Sequence, residues 1–223
     1  MNLLNLQEPI DWSRILYGSD VTVSTTRRLR YGRYGKRINQ FPSRKNNQSL
    51  KCESLLEAEF CLELERSPTI ASYIAQPCTL YVEETSNYYT PDFFALTDTE
   101  EGIFFEIKSE LAGRDAEKMA KLAIYEGVFT RNDISFEIIF QHDFFHPIKS
   151  TNLKYLYFHC EYPDQGQLEK ILDQLKARPL SVRDLIGLGI PSGQIAYAVF
   201  FQIVYFDIFS PFTLDSILRA DSS

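Results

Sequence analysis

What the sequence lacks narrows it first. Its four cysteines, Cys52, Cys61, Cys78 and Cys160, include no CxxC pair, so the spacing of a structural zinc site is missing. They read as reduced, mostly buried thiols of a cytoplasmic protein. No apolar run reaches bilayer length. The longest covers residues 195–206 and is interrupted by Gln202, so no membrane span is expected. The first residues, MNLLNLQEPIDWSR, have no basic stretch leading into an apolar core, and no secretory leader is expected. Histidine is scarce, with His142, His146 and His159 the only three. Their positions offer no competing catalytic chemistry, and His142-Asp143 reads as a turn after a strand.

Acidic residues are absent from residues 21–52, where nine basic ones stand: Arg27, Arg28, Arg30, Arg33, Lys36, Arg37, Arg44, Lys45 and Lys51. Elsewhere the remaining 14 of the 23 basic residues face all 30 acids, and the net charge is −7. Tyr31, Tyr34 and Phe41 interleave the basic block, and Gly32 and Gly35 keep it pliant. Such a block reads as an arm lying along a phosphate backbone, with residues 27–45 as the DNA contacts. A solvated leader and an arm docked on an acidic partner are the alternatives. The acidity of the rest of the chain makes any nucleic-acid contact local, with a partner supplying much of the affinity.

At 223 residues and 44% hydrophobic content, the chain suits one moderate domain or two small ones with a normal core. Residues 52–64 (CESLLEAEFCLEL) carry a 3.6-residue apolar period and predict a helix ended by Ser67-Pro68. A loop and strand follow over residues 70–82, with Gln76-Pro77 as an irregular step. Residues 115–129 predict a second helix and residues 135–140 a further strand. Residues 152–159 fit a strand or a helix equally. The fold class is α/β, with a mixed sheet flanked by helices. Pro163-Asp164-Gln165-Gly166 marks a boundary. The expected organisation is an N-terminal segment with the basic arm (1–50), a core (51–162) and a C-terminal domain (163–223). That last domain reads as helices over 168–177, 181–188 and 192–206 plus a small hairpin over 206–214, the pattern of a winged-helix module. From Cys160 onward it holds eight acids against five basic residues, and residues 192–206 contain no basic residue. That composition favours protein docking over reading of a DNA groove.

Residues 88–110, YYTPDFFALTDTEEGIFFEIKSE, are the most informative stretch. They predict two apolar strands joined by the acidic turn Asp98-Thr99-Glu100-Glu101-Gly102. Asp92 then opens the first strand, and Glu106 and Lys108 share a face near the end of the second. A Glu and a Lys ending an apolar strand are hard to explain as core. Two carboxylates and an amine at one point make a site for Mg²⁺ and an activated water, the chemistry of phosphodiester cleavage. A third acid would come from the preceding helix, which offers Glu53, Glu57, Glu59, Glu63 and Glu65.

Taken together, ESLLEAEFCLEL at 53–64, AQP at 75–77, YTPDFF at 89–94 and FEIKSE at 105–110 resemble the TnsA endonucleases of heteromeric transposases. Those belong to the PD-(D/E)xK, restriction-endonuclease-like superfamily. The resemblance covers residues 25–145 and extends to the winged-helix-like tail. It implies a restriction-endonuclease-like core, with Glu57 (or, second, Glu53) as the helical acid, Asp92 as the strand acid, and Glu106 and Lys108 as the acid-x-Lys pair. It further implies one or two Mg²⁺ ions, replaceable by Mn²⁺, held by Glu57, Asp92, Glu106 and the carbonyl of Ile107. Lys108 would orient or deprotonate the attacking water, or neutralise charge in the transition state. The implied activity is 5′-strand cleavage at transposon ends. The implied partners are double-stranded DNA, a DDE transposase (TnsB-like) and an AAA+ regulator (TnsC-like) reached through the C-terminal domain. A stand-alone restriction enzyme or junction resolvase of the same fold, and a non-catalytic adaptor, are the alternatives.

Overall fold

Consecutive apolar residues at 93–96 and 103–105 require a sheet covered on both faces, and the fold provides one. The computed structural model describes residues 10–24 and 38–220. It divides into two compact units, Met1–Phe144 and Phe145–Ser223, and the architecture is α/β with a mixed sheet. The division falls earlier than the sequence boundary at 162/163. The reason is that residues 152–159 are helical, within Pro147–His159, and pack on the helix Ser192–Phe200.

The first unit runs β1 (Val21–Ser24), β2 (Asn39–Ser43), β3 (Gln48–Cys52), α1 (Leu55–Arg66), β4 (Ile70–Ala75), β5 (Thr79–Val82), β6 (Asn87–Tyr89), β7 (Phe93–Thr97) and β8 (Gly102–Lys108). It continues with α2 (Glu110–Gly113), α3 (Ala116–Thr130), β9 (Ser135–Phe140) and α4 (Gln141–Phe144). The central sheet has the order β4-β7-β8-β9. Its first two pairings are antiparallel and the last, β8 with β9, is parallel. Parallel neighbours need a long crossover, and α3 lies in it.

Alternation along the strands sorts the aromatic residues onto two faces. Phe93 and Phe105 are register partners, and both meet Phe60 of α1, at ring-centroid distances of 5.8 and 5.4 Å. On the opposite face Phe94 pairs with Phe104. Trp12 lies 5.5 Å from Phe104, and Phe129 of α3 lies 4.6 Å from it. Edge-to-face and tilted ring contacts of this kind add to simple burial.

Helix α1 begins where Ser54 accepts the N–H of Glu57 at 3.1 Å, a cap that satisfies a backbone donor with no partner inside the helix. It ends before Pro68, which disfavours helical geometry in the residue ahead of it. Residues 39–52, within the stretch read as a basic arm, instead include the antiparallel hairpin β2–β3. Its turn is held down by Glu65, which is fully buried. Glu65 accepts from Ser43 Oγ at 2.5 Å, Tyr73 Oη at 2.8 Å and the Lys45 N–H at 3.2 Å. Two short sheets complete the unit, this hairpin and a three-stranded sheet of order β1-β5-β6.

The second unit comprises α5 (Pro147–His159), α6 (Gln165–Ala177), β10 (Leu180–Ser181), α7 (Val182–Gly187), α8 (Ser192–Phe200) and β11 (Ile217–Leu218). Helix α8 is its core element, with α5, α6 and α7 packed on it. It is shorter than the apolar run over 192–206 predicts, because Gln202 takes a left-handed conformation (φ +59°) that stops the helix. The expected hairpin over 206–214 is replaced by longer-range pairing. Leu180–Ser181 pairs with Ile217–Leu218, and Tyr205 bridges Arg219. Among the described residues no helix is long and apolar enough to cross a membrane.

Trp12, the only tryptophan, is buried in the first unit, so its fluorescence reports that unit's unfolding. Phe104→Ala leaves a cavity beneath it and is expected to cost about 3–5 kcal/mol, measured as a lowered urea midpoint of the tryptophan transition. A loss below about 1 kcal/mol would contradict this packing.

Candidate active site

The β7/β8 register, with Phe93 opposite Phe105, sets Asp92 beside Glu106 one step further along. Backbone bonds pin this strand end on both sides. Asp92 Oδ2 accepts the Ile107 N–H at 2.7 Å, and the Asp92 carbonyl accepts the Gln76 N–H at 2.8 Å. Gln76, in the AQP motif, adopts φ +51° to make this approach. Glu106 is buried. Its Oε2 accepts from Tyr89 Oη at 2.7 Å, and its Oε1 accepts from Lys108 Nζ. Lys108 lies two residues on, hence on the same face of β8.

Glu57 contributes from the first turn of α1. Its Oε1 accepts from Ser54 Oγ at 2.8 Å and its Oε2 from the Glu53 N–H at 2.7 Å. Ser54-Leu55-Leu56-Glu57 is thus a variant of the reciprocal Ser-x-x-Glu capping arrangement, a role that the acidic spacing alone does not reveal.

The electrostatics couple the three acids. Burial holds the Asp92 carboxyl well above the usual carboxylate range; the charges of Glu106 and Glu57 push it further, against the Ile107 N–H and Lys108. Asp92 is half-buried by surface area, yet desolvation remains the largest cause. Glu57 is also raised, by burial first, with Glu53 and Glu106 adding to it against the Ser54 and Glu53 hydrogen bonds. Burial and the Glu106 charge push the Tyr89 phenol well up, so it stays a donor. Three acids therefore sit in one neighbourhood, with Lys108 bonded to Glu106.

Among the described residues no three or more His, Cys, Asp or Glu side chains are grouped so as to hold a metal ion. The three-carboxylate cage implied by Glu57, Asp92 and Glu106 is thus not formed. Both Glu57 oxygens accept hydrogen bonds at the helix cap, one of them from the Glu53 backbone, just as both Glu106 oxygens accept from Tyr89 and Lys108. Asp92 and Glu106 do fit a divalent cation. They are hard oxygen donors that repel one another at a strand end, and Mg²⁺ commonly takes one or two carboxylates and keeps its remaining waters.

Of the residues expected to touch DNA, Arg27, Arg28, Arg30, Arg33, Lys36 and Arg37 lie outside the described residues. The segments flanking them are anchored near the acids. Ser24 pairs with Thr79, whose hydroxyl is 2.9 Å from that of Thr90, two residues before Asp92. Asn39 pairs with Cys52, next to the Glu53–Ser54 cap. Arg44 is half-buried. Lys45 is committed elsewhere: its Nζ donates to the carbonyls of Ser67 and Ile70, and burial pushes its pKa down to about 8. It is a staple for the β2–β3 turn where a phosphate contact was expected. His142 lies in α4 and its Nδ1 is 2.6 Å from Glu110 Oε1. Sequence reasoning passed over Tyr89. The available signal was a buried aromatic with a polar tip three residues before Asp92, since such tips take a partner when buried.

A carboxyl whose pKa is raised on folding contributes stability that is fully present below its unfolded pKa and is lost as pH rises through the folded value. Asp92→Asn, which keeps an acceptor for Ile107, should therefore raise the stability of metal-free protein at pH 7–8. The gain should vanish as pH falls into the acid range, as read from thermal melts in chelator. A variant less stable than the parent at pH 8 would remove the repulsion inferred here. No protein-family model matches the chain, and no curated protein matches its sequence.

Proposed function

We propose that the protein is a metal-dependent DNA endonuclease of the TnsA type, cutting the 5′ strand at transposon ends. The observation that carries this reading is the convergence of Asp92, Glu106 and Lys108 at one end of β7 and β8. Further support comes from connectivity. The order α1–β4–β7–β8–α3–β9, with β4–β7 and β7–β8 antiparallel and β8–β9 parallel, is the arrangement expected of a restriction-endonuclease-like core. In the second unit, three helices with the pairings β10–β11 and Tyr205–Arg219 agree with a winged-helix module. Its α8 is buried along most of its length and lacks basic residues. It leaves no basic face for a DNA groove, which favours docking on a partner such as an AAA+ regulator.

In this reading Asp92 and Glu106, with the Ile107 carbonyl, would hold Mg²⁺ (or Mn²⁺), which when bound would supply polarisation of the scissile phosphate and stabilisation of the leaving oxygen. Asp92 is kept in place by the Ile107 N–H, and Glu106 by Tyr89. Lys108, on the same face, presents a cation to the attacking water and to the charge that develops on the phosphate. Glu57 adds negative potential at the site while capping α1. The chain as a whole is acidic, so the arm at residues 25–37 is assigned the backbone contacts, and a DDE transposase the complementary 3′ cut.

Strand-specific cleavage of a transposon-end duplex in Mg²⁺, with and without the partner transposase, tests the proposal. Asp92→Ala is expected to abolish 5′ cleavage. Lys108→Ala should lower it about 10²–10⁴-fold, with assembly of the complex intact. Retained cleavage in the Asp92 variant would sink the assignment, and cleavage of naked DNA without partners would favour a stand-alone nuclease. Neutralising Arg27, Arg28 and Arg30 is expected to flatten the slope of log binding constant against log salt by about one per lost phosphate contact. An unchanged slope would move the arm to protein contacts.

A further inference from the structure

Tyr89 is the residue best placed to control Glu106, and it belongs to a different sheet. It ends β6, which pairs with β5 in the three-stranded sheet, whereas Glu106 lies in β8 of the central sheet. The phenol reaches across to Glu106 Oε2 at 2.7 Å, over 17 positions of sequence. Its ring is clamped. Tyr125 of α3 stacks on it with centroids 4.1 Å apart and planes 6° from parallel, and Phe136 of β9 meets it edge-on at 6.4 Å. Only 7% of its surface is exposed. The ring thus has little freedom to swing, and the hydroxyl is delivered to a set point. The other oxygen, Oε1, is taken by Lys108. Glu106 is thereby oriented by one rigid donor from a neighbouring layer and one flexible donor from its own strand.

We propose that Tyr89 is a positioning residue that fixes the Glu106 carboxylate for cation binding, with Tyr125 as its backing. This rests on the endonuclease reading above. Groups that orient a metal-binding carboxylate set its geometry and basicity, and losing one typically costs about 10–100-fold in metal affinity. A rigid donor matters most where few protein ligands are present, because a site with two carboxylates has little redundancy.

The test is Mn²⁺ binding to the full-length protein, followed by calorimetry and by the electron paramagnetic resonance of free Mn²⁺, with melting temperature recorded in chelator. Tyr89→Phe removes only the hydroxyl and keeps the stacked ring. The expected result is binding about 10–100-fold weaker than the parent. Combined with Glu106→Gln, Tyr89→Phe should cost nothing beyond the Glu106→Gln loss, because it acts through that carboxylate. Tyr125→Leu, which keeps the phenol but removes its backing, should give a smaller loss and covers the case of a poorly folded Tyr89 variant. Three results would overturn the proposal: parent-like affinity in Tyr89→Phe, a Tyr89→Phe loss undiminished on the Glu106→Gln background, or full affinity in Tyr125→Leu. If the parent and Asp92→Ala both bind no Mn²⁺, the endonuclease reading fails, and this proposal with it. If the parent binds, Asp92→Ala does not and Tyr89→Phe binds like the parent, only the role of Tyr89 fails.

Discussion

The antiparallel register that sets Phe93 against Phe105 governs the first unit. Side chains alternate with a period of two, so a slip of one residue would exchange the two faces of β7 and β8. The same register performs two tasks. It sends Phe93 and Phe105 towards Phe60 while Phe94 and Phe104 meet Trp12 and Phe129. It also brings Asp92 beside Glu106 at the strand end. Core and site are therefore not separable designs. The aromatic packing that stabilises the sheet holds two carboxyls together against their repulsion.

Two buried glutamates in this unit show how surroundings decide a role. Glu65 receives Ser43, Tyr73 and the Lys45 backbone. Its bonds tie a turn, a helix and a strand, which is a structural use of a buried polar group. Glu106 also has two donors, Tyr89 and Lys108, but it still acts on Asp92 and Glu57 as a neighbouring like charge. Proteins keep unfavourable arrangements of this type where chemistry needs them.

The second unit relies on buried amides for definition. Asn152 of α5 donates to the carbonyls of Ile208 and Ser210 and accepts from the Phe212 N–H. Gln194 of α8 accepts from the Asp164 N–H and donates to the Tyr162 carbonyl. Each amide satisfies backbone groups of an irregular segment that regular pairing leaves open. Loops without repeating structure are thereby given one conformation.

Much of this was legible in the amino-acid order. The apolar run at 93–96, the apolar stretch ending in Glu106 and Lys108, the turn between them, and the helices predicted over 52–64 and 115–129, close to the observed Leu55–Arg66 and Ala116–Thr130, follow from local pattern and propensity. The placing of Asp92 against Glu106 follows too, because a short hairpin constrains its own register. Other features depended on groups far apart in sequence. Glu57 reads as one acid among five until Ser54 and Glu53 take both of its oxygens. Lys45 reads as part of a basic arm until the turn folds against Ser67 and Ile70. The helix over 192–206 stops at Phe200 because the chain turns at Gln202. Tyr89 shows no link to Glu106 until two sheets meet. Local periodicity determined the elements and the two-carboxylate hairpin. Only the tertiary structure decided which carboxylates were left uncompensated, since that depends on which donors the packing delivers to each.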